Sequence, residues 1–263
     1  MKARLHISTA CRDGRSYLKE CFFQPPFKVA DITEDKSSAA LRLMLMSASP
    51  GILSNDEYDI EIRVKQHTTL QLFTQSYQRL YSMRQQATQH TKLYVEKNAC
   101  FSFIPHPQVP HKQSVFVSNT DIFLEENAGL VWGEIISCGR KLNGEVFAFS
   151  RYHSRTSIYR DNTLLIRENQ LMQPDIWPVN TIGQMQGFTH QATLLFIHPG
   201  MTAPEAAALC MPCLSEEQAL HPGITAAAPD VLLVRVLGHH AEQLFDLLNK
   251  LAAILTTKKE PVQ

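Results

Sequence analysis

The sequence predicts a mainly β protein whose C-terminal part adds helices and ends in an amphipathic helix. Short segments rich in β-branched and aromatic residues recur over about the first 190 residues, separated by Asn, Gly, Pro or Asp. This pattern is typical of an all-β sandwich, barrel or solenoid, and it does not choose among the three. No sequence repeat of 20 to 50 residues stands out. A length of 263 residues fits one large β domain or two smaller ones.

The first segment predicts a β-hairpin. Residues 3–8 and 16–23 each alternate in polarity, and Asp13 and Gly14 supply the turn between them. Pro25 follows as part of an extended connector, because the residue before a proline is disfavoured in the α region. We therefore expect two paired strands followed by a proline-rich link.

The next stretch predicts a turn followed by two strands. Pro50 and Gly51 interrupt an apolar run, since proline lacks a backbone donor and glycine tolerates positive φ. Residues 58–65 alternate apolar and charged side chains, the signature of a strand with one buried face. Residues 68–75 are expected to return beside that strand as the second half of a hairpin.

The rest of the chain predicts further strands and then two helices. Residues 84–90 show neither period, so we expect a loop or a short helical turn there. The predicted strands are 41–47, 93–96, 100–104, 115–117, 122–125, 130–137, 146–153, 157–160, 164–170, 192–197 and 231–237. A helix is predicted around residues 204–209, and leucines at helical spacing predict an amphipathic helix from His239 onward, before a frayed tail at 258–263.

Composition and charge narrow the classes of partner. Lys and Arg together number 25, as do Asp and Glu, which gives zero net charge and argues against nucleic acid or an anionic membrane as partner. The N-terminus has no apolar core of a signal peptide, and no stretch reaches 18 apolar residues. We therefore expect a cytoplasmic protein whose six cysteines are reduced thiols and whose partner is a protein or a small solute.

The sequence shows no established enzyme motif. It contains no GxSxG elbow, GxxxxGK[ST] loop or HExxH pair. Cys210 and Cys213 form a CxxC, but without a second pair at zinc-ligand spacing we interpret them as incidental thiols. His106 and His111 flank a proline-rich loop that could present two imidazoles, although surface histidines are commonly just solvated. Metal binding by these four residues is left open.

Three charged residues lie around a predicted hairpin at 134–149. Glu134, Arg140 and Glu145 sit near its ends, between strongly apolar segments. At the rim of a sheet such charges are solvated, whereas inside a sheet they would have to be hydrogen bonded. The sequence leaves both arrangements open.

Six motifs in order resemble one family, the urease accessory protein UreD, also called UreH. The motifs are FFQPPFK (22–28), SPGILSND (49–56), LFTQSYQRLYSM (72–83), FIPHPQVP (103–110), EIISCGRKLNGEVFAF (134–149) and FSRYH (149–153). The resemblance extends over nearly the whole chain. Asn55 departs from the glycine usual in the family, but asparagine also tolerates the left-handed region. His106 and His111 stand where the family commonly has other residue types.

The resemblance implies a non-enzymatic scaffold, a metallochaperone component that helps to deliver nickel to urease. It implies a single domain over residues 1–263, with a β-helix-like body to about residue 190 and a strand and helix portion at about 191–257. The implied partners are UreF, through it the GTPase UreG, and the urease apoprotein, with a dimer of heterodimers formed with UreF. Nickel would move transiently along an internal water-filled passage, without a firmly bound cofactor or an assigned metal site.

The implied passage identifies candidate residues. Transport favours weak, exchangeable ligands such as carboxylates and water over thiolates, because a tight site would trap the ion. The candidates that line or shape the passage are Asp56, Gln75, Glu134, Arg140 and Glu145. Alternatively, these side chains satisfy backbone groups or form surface ion pairs.

Two other function classes remain as alternatives. A metal-dependent hydrolase on a β scaffold would need histidines and carboxylates that converge in a cleft, which their scattered positions do not indicate. A generic β-solenoid adaptor would bind proteins without any metal. Dependence of urease activation on this chain would separate the scaffold from both.

Overall fold

The protein is described by a computed structural model that covers residues 1–35 and 37–257. The tail expected at 258–263 lies outside the described residues. The described part contains 17 strands, two α-helices and a short 3-10 helix at Lys141–Asn143. The elements are β1 (Lys2–Arg12), β2 (Arg15–Phe23), β3 (Phe27–Asp31), β4 (Ala40–Ser47), β5 (Glu57–Val64), β6 (Thr69–Thr74), β7 (Gln78–Leu80), β8 (Ala87–Val95), β9 (Cys100–Phe103), β10 (Gln108–Pro110), β11 (Val115–Leu124), β12 (Gly129–Ser137), β13 (Arg151–Arg160), β14 (Thr163–Met172), β15 (His190–Ile197), α1 (Ala203–Glu216), β16 (His221–Ala228), β17 (Val231–Gly238) and α2 (Ala241–Thr257).

These strands form two sheets, which confirms the mainly β prediction. The first sheet has the order β14-β13-β11-β8-β5-β1-β2, and the second has β16-β17-β15-β12-β9-β6-β4-β3 with β7 and β10 attached. The central strands are parallel in both sheets: β1, β5, β8, β11 and β13 in the first, and β4, β6, β9 and β12 in the second.

The parallel strands, taken in sequence order, alternate between the two sheets, so two predicted hairpins are wrong. β5 pairs with β1 and β8 in the first sheet, whereas β6 pairs with β4 and β9 in the second. The hairpin expected at 134–149 is likewise a crossing from β12 in one sheet to β13 in the other. Alternating polarity reports which face of a strand is buried, but it does not identify the pairing partner. The N-terminal hairpin is confirmed, with positive φ at Asp13 and Gly14.

The segment at 84–90 also differs from its prediction. Residues 87–95 form strand β8 in the middle of the first sheet. Their outward side chains are polar and Thr91 faces inward, so the apolar alternation that identifies a strand is weak. In the same way, the strands predicted at 115–117 and 122–125 form one continuous strand, β11, and β13 begins at Arg151 rather than at residue 146.

The two ends of the sheets differ in their connections. At one end the crossings are four-residue turns, 65–68, 96–99 and 125–128, each with its third residue at positive φ: His67, Asn98 and Asn127. At the other end the crossings are long: 48–56, 75–86, 104–114 and 138–150. The long connections therefore gather at one end of the molecule.

The space between the sheets changes character along the strands. Near the short turns the inward row of the first sheet is apolar, namely Ile7, Ile62, Leu93, Ile122 and Ile158. Nearer the long connections the next row holds Thr91, Thr120 and Thr156, and the row beyond holds Gln89, Ser118 and Ser154. A dry core thus supports a polar region beneath the long connections.

The helices cover part of the outer face of the second sheet. α1 begins with a capping box between Thr202 and Glu205 and carries Pro204 in its first turn, as predicted. α2 is the predicted amphipathic helix, with its leucines buried against β12 and β15. None of the described helices is long and apolar enough to span a membrane.

Candidate functional site: a polar cavity between the sheets

A cavity of about 370 Å³ lies between the two sheets beneath the long connections. Its walls combine apolar groups with hydroxyl and amide side chains. The polar lining includes Thr74, Gln75, Ser76, Gln78, Gln89, Thr91, Gln108, Ser118, Thr120 and Ser154. A volume of this size matches a small-ligand site and also accommodates several water molecules.

Two residues of the cavity lining, Tyr77 and His106, contact helix α2. The Tyr77 hydroxyl donates to the Glu242 carboxylate at 2.5 Å, and the His106 ring stacks on Phe245 with 4.4 Å between centroids. Burial, followed by the hydrogen bond to Glu242, raises the pKa of Tyr77. Gln75, another lining residue, is exposed to solvent. Because the leucine stripe of α2 is buried, this side of the cavity is fixed in place.

His106 is held by a pair of hydrogen bonds to Thr74. The backbone N–H of His106 donates to the Thr74 hydroxyl at 2.8 Å, and that hydroxyl lies 2.9 Å from Nδ1. If the hydroxyl proton is directed to Nδ1, the neutral ring carries its own proton on Nε2. In that tautomer neither ring nitrogen has a free lone pair for a metal ion.

Three glutamine amides form a chain along the cavity wall from one sheet to the other. Nε2 of Gln108 donates to Oε1 of Gln78 at 2.7 Å, and Nε2 of Gln78 donates to Oε1 of Gln89 at 3.3 Å. Among the described residues no donor reaches the buried Oε1 of Gln108. Such an oxygen is suited to accept a hydrogen bond from water or to contact a cation.

Glu134 is the carboxylate among the described lining residues. It lies on β12 and accepts hydrogen bonds from Trp132 Nε1 at 2.9 Å, from Thr156 at 2.5 Å and from Ser154 at 3.1 Å. The two hydroxyl donors belong to β13 of the opposite sheet. Glu134 therefore joins the two sheets as well as placing a negative charge in the cavity wall.

Asp56 has a different environment. It is 2% exposed, and its carboxylate accepts from the Leu53 N–H at 2.8 Å and from the Tyr58 hydroxyl at 3.2 Å. It also contacts the amino group of Met1 at 2.9 Å. Asp56 is outside the set of lining residues, whereas its partner Tyr58 is within it. The carboxylate thus holds the turn and one aromatic wall of the cavity.

Arg140 and Glu145 bind each other within the 138–150 connection. Arg140 donates from Nε at 2.9 Å and from Nη2 at 2.5 Å, and Glu145 also accepts from the Lys112 N–H at 3.1 Å. The hydrogen bond from Arg140 is the main cause that lowers the pKa of Glu145. Both residues are outside the cavity lining. They close their loop and tie it to the 104–114 connection.

The other candidate ligands are dispersed. His111 is buried against the Tyr81 ring, and burial, together with the Arg140 charge, lowers its pKa. Cys210 and Cys213 lie in α1, where burial raises the pKa of Cys210 to about 11. Across residues 1–35 and 37–257, no three His, Cys, Asp or Glu side chains form a group that could hold a metal ion.

One buried histidine lies away from the cavity at the start of β15. His190 is 7% exposed, and its Nδ1 lies 2.9 Å from the Thr189 hydroxyl. Burial, and then the nearby charges of Lys141, His240 and His239, lower the pKa of His190 to about 4. It is therefore neutral in the folded protein at ordinary pH.

Sequence reasoning had identified Gln75 and Glu134 but missed the amides and hydroxyls of the cavity. The available signal was polar residues at inward-facing positions of strands, such as Thr91, Thr120 and Ser154. Each is ordinary on its own because hydroxyls are common in strands. Only the register, which aligns them across β8, β11 and β13, brings them together.

Comparison with known proteins gives one consistent match. A family model described as UreD urease accessory protein matches residues 1–262. A relative from Flavobacterium johnsoniae is 43% identical over 98% of this chain and 93% of its own length. A relative from Acetivibrio thermocellus is 31% identical over 97% of this chain and 97% of its own length. A relative from Actinobacillus pleuropneumoniae is 34% identical over the full length of both chains. All three carry the name urease accessory protein UreD.

Replacing Asp56 with alanine should lower the free energy of unfolding by about 3 kcal/mol, because the Leu53 N–H and the buried Tyr58 hydroxyl lose their acceptor. Urea denaturation measures this loss. Asp59→Ala, at an exposed aspartate on the following strand β5, is the matched control and should change stability by less than about 0.5 kcal/mol. Equal stability of the two variants would contradict the buried role of Asp56.

His190 should make stability depend on pH. In the unfolded chain His190 binds a proton below its ordinary pKa of 6.5, whereas in the folded protein it stays neutral down to about pH 4. The free energy of unfolding therefore falls as the pH falls from 6.5 to 4. Between pH 7.5 and pH 5 the contribution is about 2 kcal/mol. His190→Gln should remove that part of the pH dependence of urea unfolding, whereas the exposed-turn control His67→Asn should keep it.

Proposed function

The chain belongs to the UreD family of urease accessory proteins, and we propose that it is a urease maturation factor that helps to deliver nickel to the urease active site. It acts as a scaffold and catalyses no reaction of its own. The observation that carries this proposal is the polar cavity with Glu134 in its wall.

The chemistry of the cavity suits a passing divalent cation. Amide and hydroxyl oxygens are weak ligands for Ni²⁺, and the lining residues that the structure describes add a carboxylate but no thiolate. Glu134 already accepts three hydrogen bonds, which spreads its charge over neutral donors. These properties favour transient contact with a hydrated ion over tight capture.

The five candidate residues then take two kinds of role. Gln75 and Glu134 would contact the passing ion or its water, since both line the cavity. Asp56 would shape the wall through Tyr58, and Arg140 with Glu145 would shape the neighbouring connections. The three outer residues would affect nickel delivery through structure rather than through contact.

Partner proteins are part of the proposal. The chain would bind UreF, through it the GTPase UreG, and the urease apoprotein, and would form a dimer of heterodimers with UreF in the cytoplasm. Exposed apolar side chains support binding to a protein, since such groups mark interaction surfaces. They include Phe22 at 55%, Trp177 at 67% and Ile182 at 88% exposure.

We also propose that the body of the domain is β-helix-like. The alternation of parallel strands between two sheets, with stacked turns at one end, supports this description. One domain would span residues 1–263, with the helices as a C-terminal layer on the same sheet system. The polar cavity would then be the interior of the winding near its long connections.

A metal-independent adaptor is the competing function, and one experiment separates the two. Urease apoprotein would be produced with UreF and UreG, in the presence and absence of this chain, and its nickel content measured. The proposal expects nickel in urease only when the chain is present. Co-purification with UreF and UreG but equal nickel content would favour the adaptor.

Glu134→Gln should reduce the nickel content and activity of co-produced urease several-fold. The amide keeps an acceptor for Trp132 and the size of the side chain, but removes the negative charge that attracts the cation. Nickel would be measured by mass spectrometry of purified urease, with co-purification of UreF as the test of an intact complex.

The matched control for this substitution is Glu61→Gln. Glu61 lies on β5 with its side chain on the outer face of the first sheet, near His6 and Arg63. This variant should leave nickel delivery unchanged. Normal nickel content with Glu134→Gln in an intact complex would remove Glu134 from the passage.

A further inference from the structure

A second, much smaller pocket lies directly behind Glu134. It measures about 10 Å³, room for about one water molecule. Trp132, Glu134 and Ser154 line both this pocket and the main cavity. Glu134 therefore stands at the boundary between the two spaces.

The polar lining continues from this boundary to the edge strand β14 in the first sheet and to β17, the neighbour of the edge strand β16, in the second. In the second sheet, Glu134 is in register with Thr193 on β15, and Thr193 with Arg235 on β17. In the first sheet, Thr156 and Ser154 are in register with Glu168 and Gln170 on the edge strand β14. The small pocket is lined by Thr193, Glu168 and Gln170 from these rows.

At that edge an ion pair joins the two sheets across the end of the polar rows. Nη2 of Arg235 donates to the Glu168 carboxylate, and the side chains are 45% and 26% exposed. A second pair between the sheets, Arg160 with Asp230 at 2.7 Å, lies nearer the short turns. Next to Arg160 the inward rows are apolar, with Ile158 facing Ile166. Of these two ion pairs, Arg235–Glu168 is the one that lies at the end of the polar rows.

We infer that the main cavity has a second opening at the edge between β14 and β17, and that the Arg235–Glu168 ion pair closes it. A partly exposed pair of this kind contributes little to stability, so it opens at small cost. The guanidinium neutralises Glu168 when the opening is closed. A cation that arrives from Glu134 would exchange with the guanidinium at Glu168 and leave through this edge.

The inference concerns the same cavity as the proposed function and rests on it for the role of the opening, but the opening itself can be measured without nickel. Thr193→Cys places a thiol in the small pocket in the full-length chain. Its reaction with 2-aminoethyl methanethiosulfonate, a small cation, would be followed by mass spectrometry of the peptide. The thiolate displaces a sulfinate and forms a mixed disulfide.

Adding Arg235→Gln to Thr193→Cys should raise the labelling rate of the introduced thiol about fivefold, the factor expected when an exposed ion pair is removed. The matched control Arg160→Gln should leave the rate within about twofold. The anionic 2-sulfonatoethyl reagent should gain less than the cation, because Glu168 is then unpaired. Cys138, which is fully buried, reports general unfolding and should stay unlabelled in every variant.

Equal rates in the Arg235→Gln and Arg160→Gln backgrounds would overturn the inference, as would an increase accompanied by labelling of Cys138. The transport role is then tested by the nickel content of urease produced with Arg235→Gln. A changed nickel content of urease supports the transport role, and Arg235→Lys should restore the nickel content found with the original chain. Faster labelling with unchanged nickel content would overturn the role of this opening in transport. The proposed function fails separately, if urease acquires the same nickel content with and without this chain.

Discussion

The fold depends on one constraint: parallel strands that follow each other in sequence lie in different sheets. Between consecutive members of this parallel set the chain crosses the gap between the sheets, so the crossings collect at two ends. Four-residue turns with a residue at positive φ make one end compact. The crossings at the other end are long enough to hold the polar and aromatic groups that surround the cavity. The candidate site thus lies at the end of the sheets where the long crossings are.

The same register explains how a polar cavity persists beside a dry core. Parallel neighbours place equivalent side chains side by side, so each inward row is nearly uniform across several strands. The row through Ile62, Leu93 and Ile122 excludes water and supplies apolar burial, whereas the row through Thr91 and Thr120 presents hydroxyls. Collapse of the cavity would require whole rows to shift register, and the backbone ladders oppose that. The void is therefore a property of the strands and not of a mobile loop.

Local patterns in the sequence predicted most strands and both helices, because burial of one face leaves a direct record in polarity. The Asp13-Gly14 turn and the leucine stripe of α2 are examples. The polarity pattern does not show which strands pair. β5 and β6 are adjacent in sequence and both alternate polar and apolar side chains, yet they belong to different sheets. The cavity was equally hidden, since Gln78, Gln89 and Gln108 approach one another only through that pairing. The family resemblance and the charge of Glu134 made it a candidate, but neither showed whether its three donors would be present.

Glu134 combines two demands that ordinarily conflict. Its donors Thr156 and Ser154 come from the sheet opposite its own, so the carboxylate ties the walls together as a structural residue would. Hydrogen bonds from neutral groups stabilise a carboxylate charge without cancelling it, which is what the proposed contact with a passing cation requires. A guanidinium partner at the same place would have neutralised it, as Arg235 does for Glu168 at the edge. The neutral donors therefore leave the negative charge of Glu134 uncancelled between the sheets. The positive charge of Arg235 lies instead at the solvent-exposed end of the polar row.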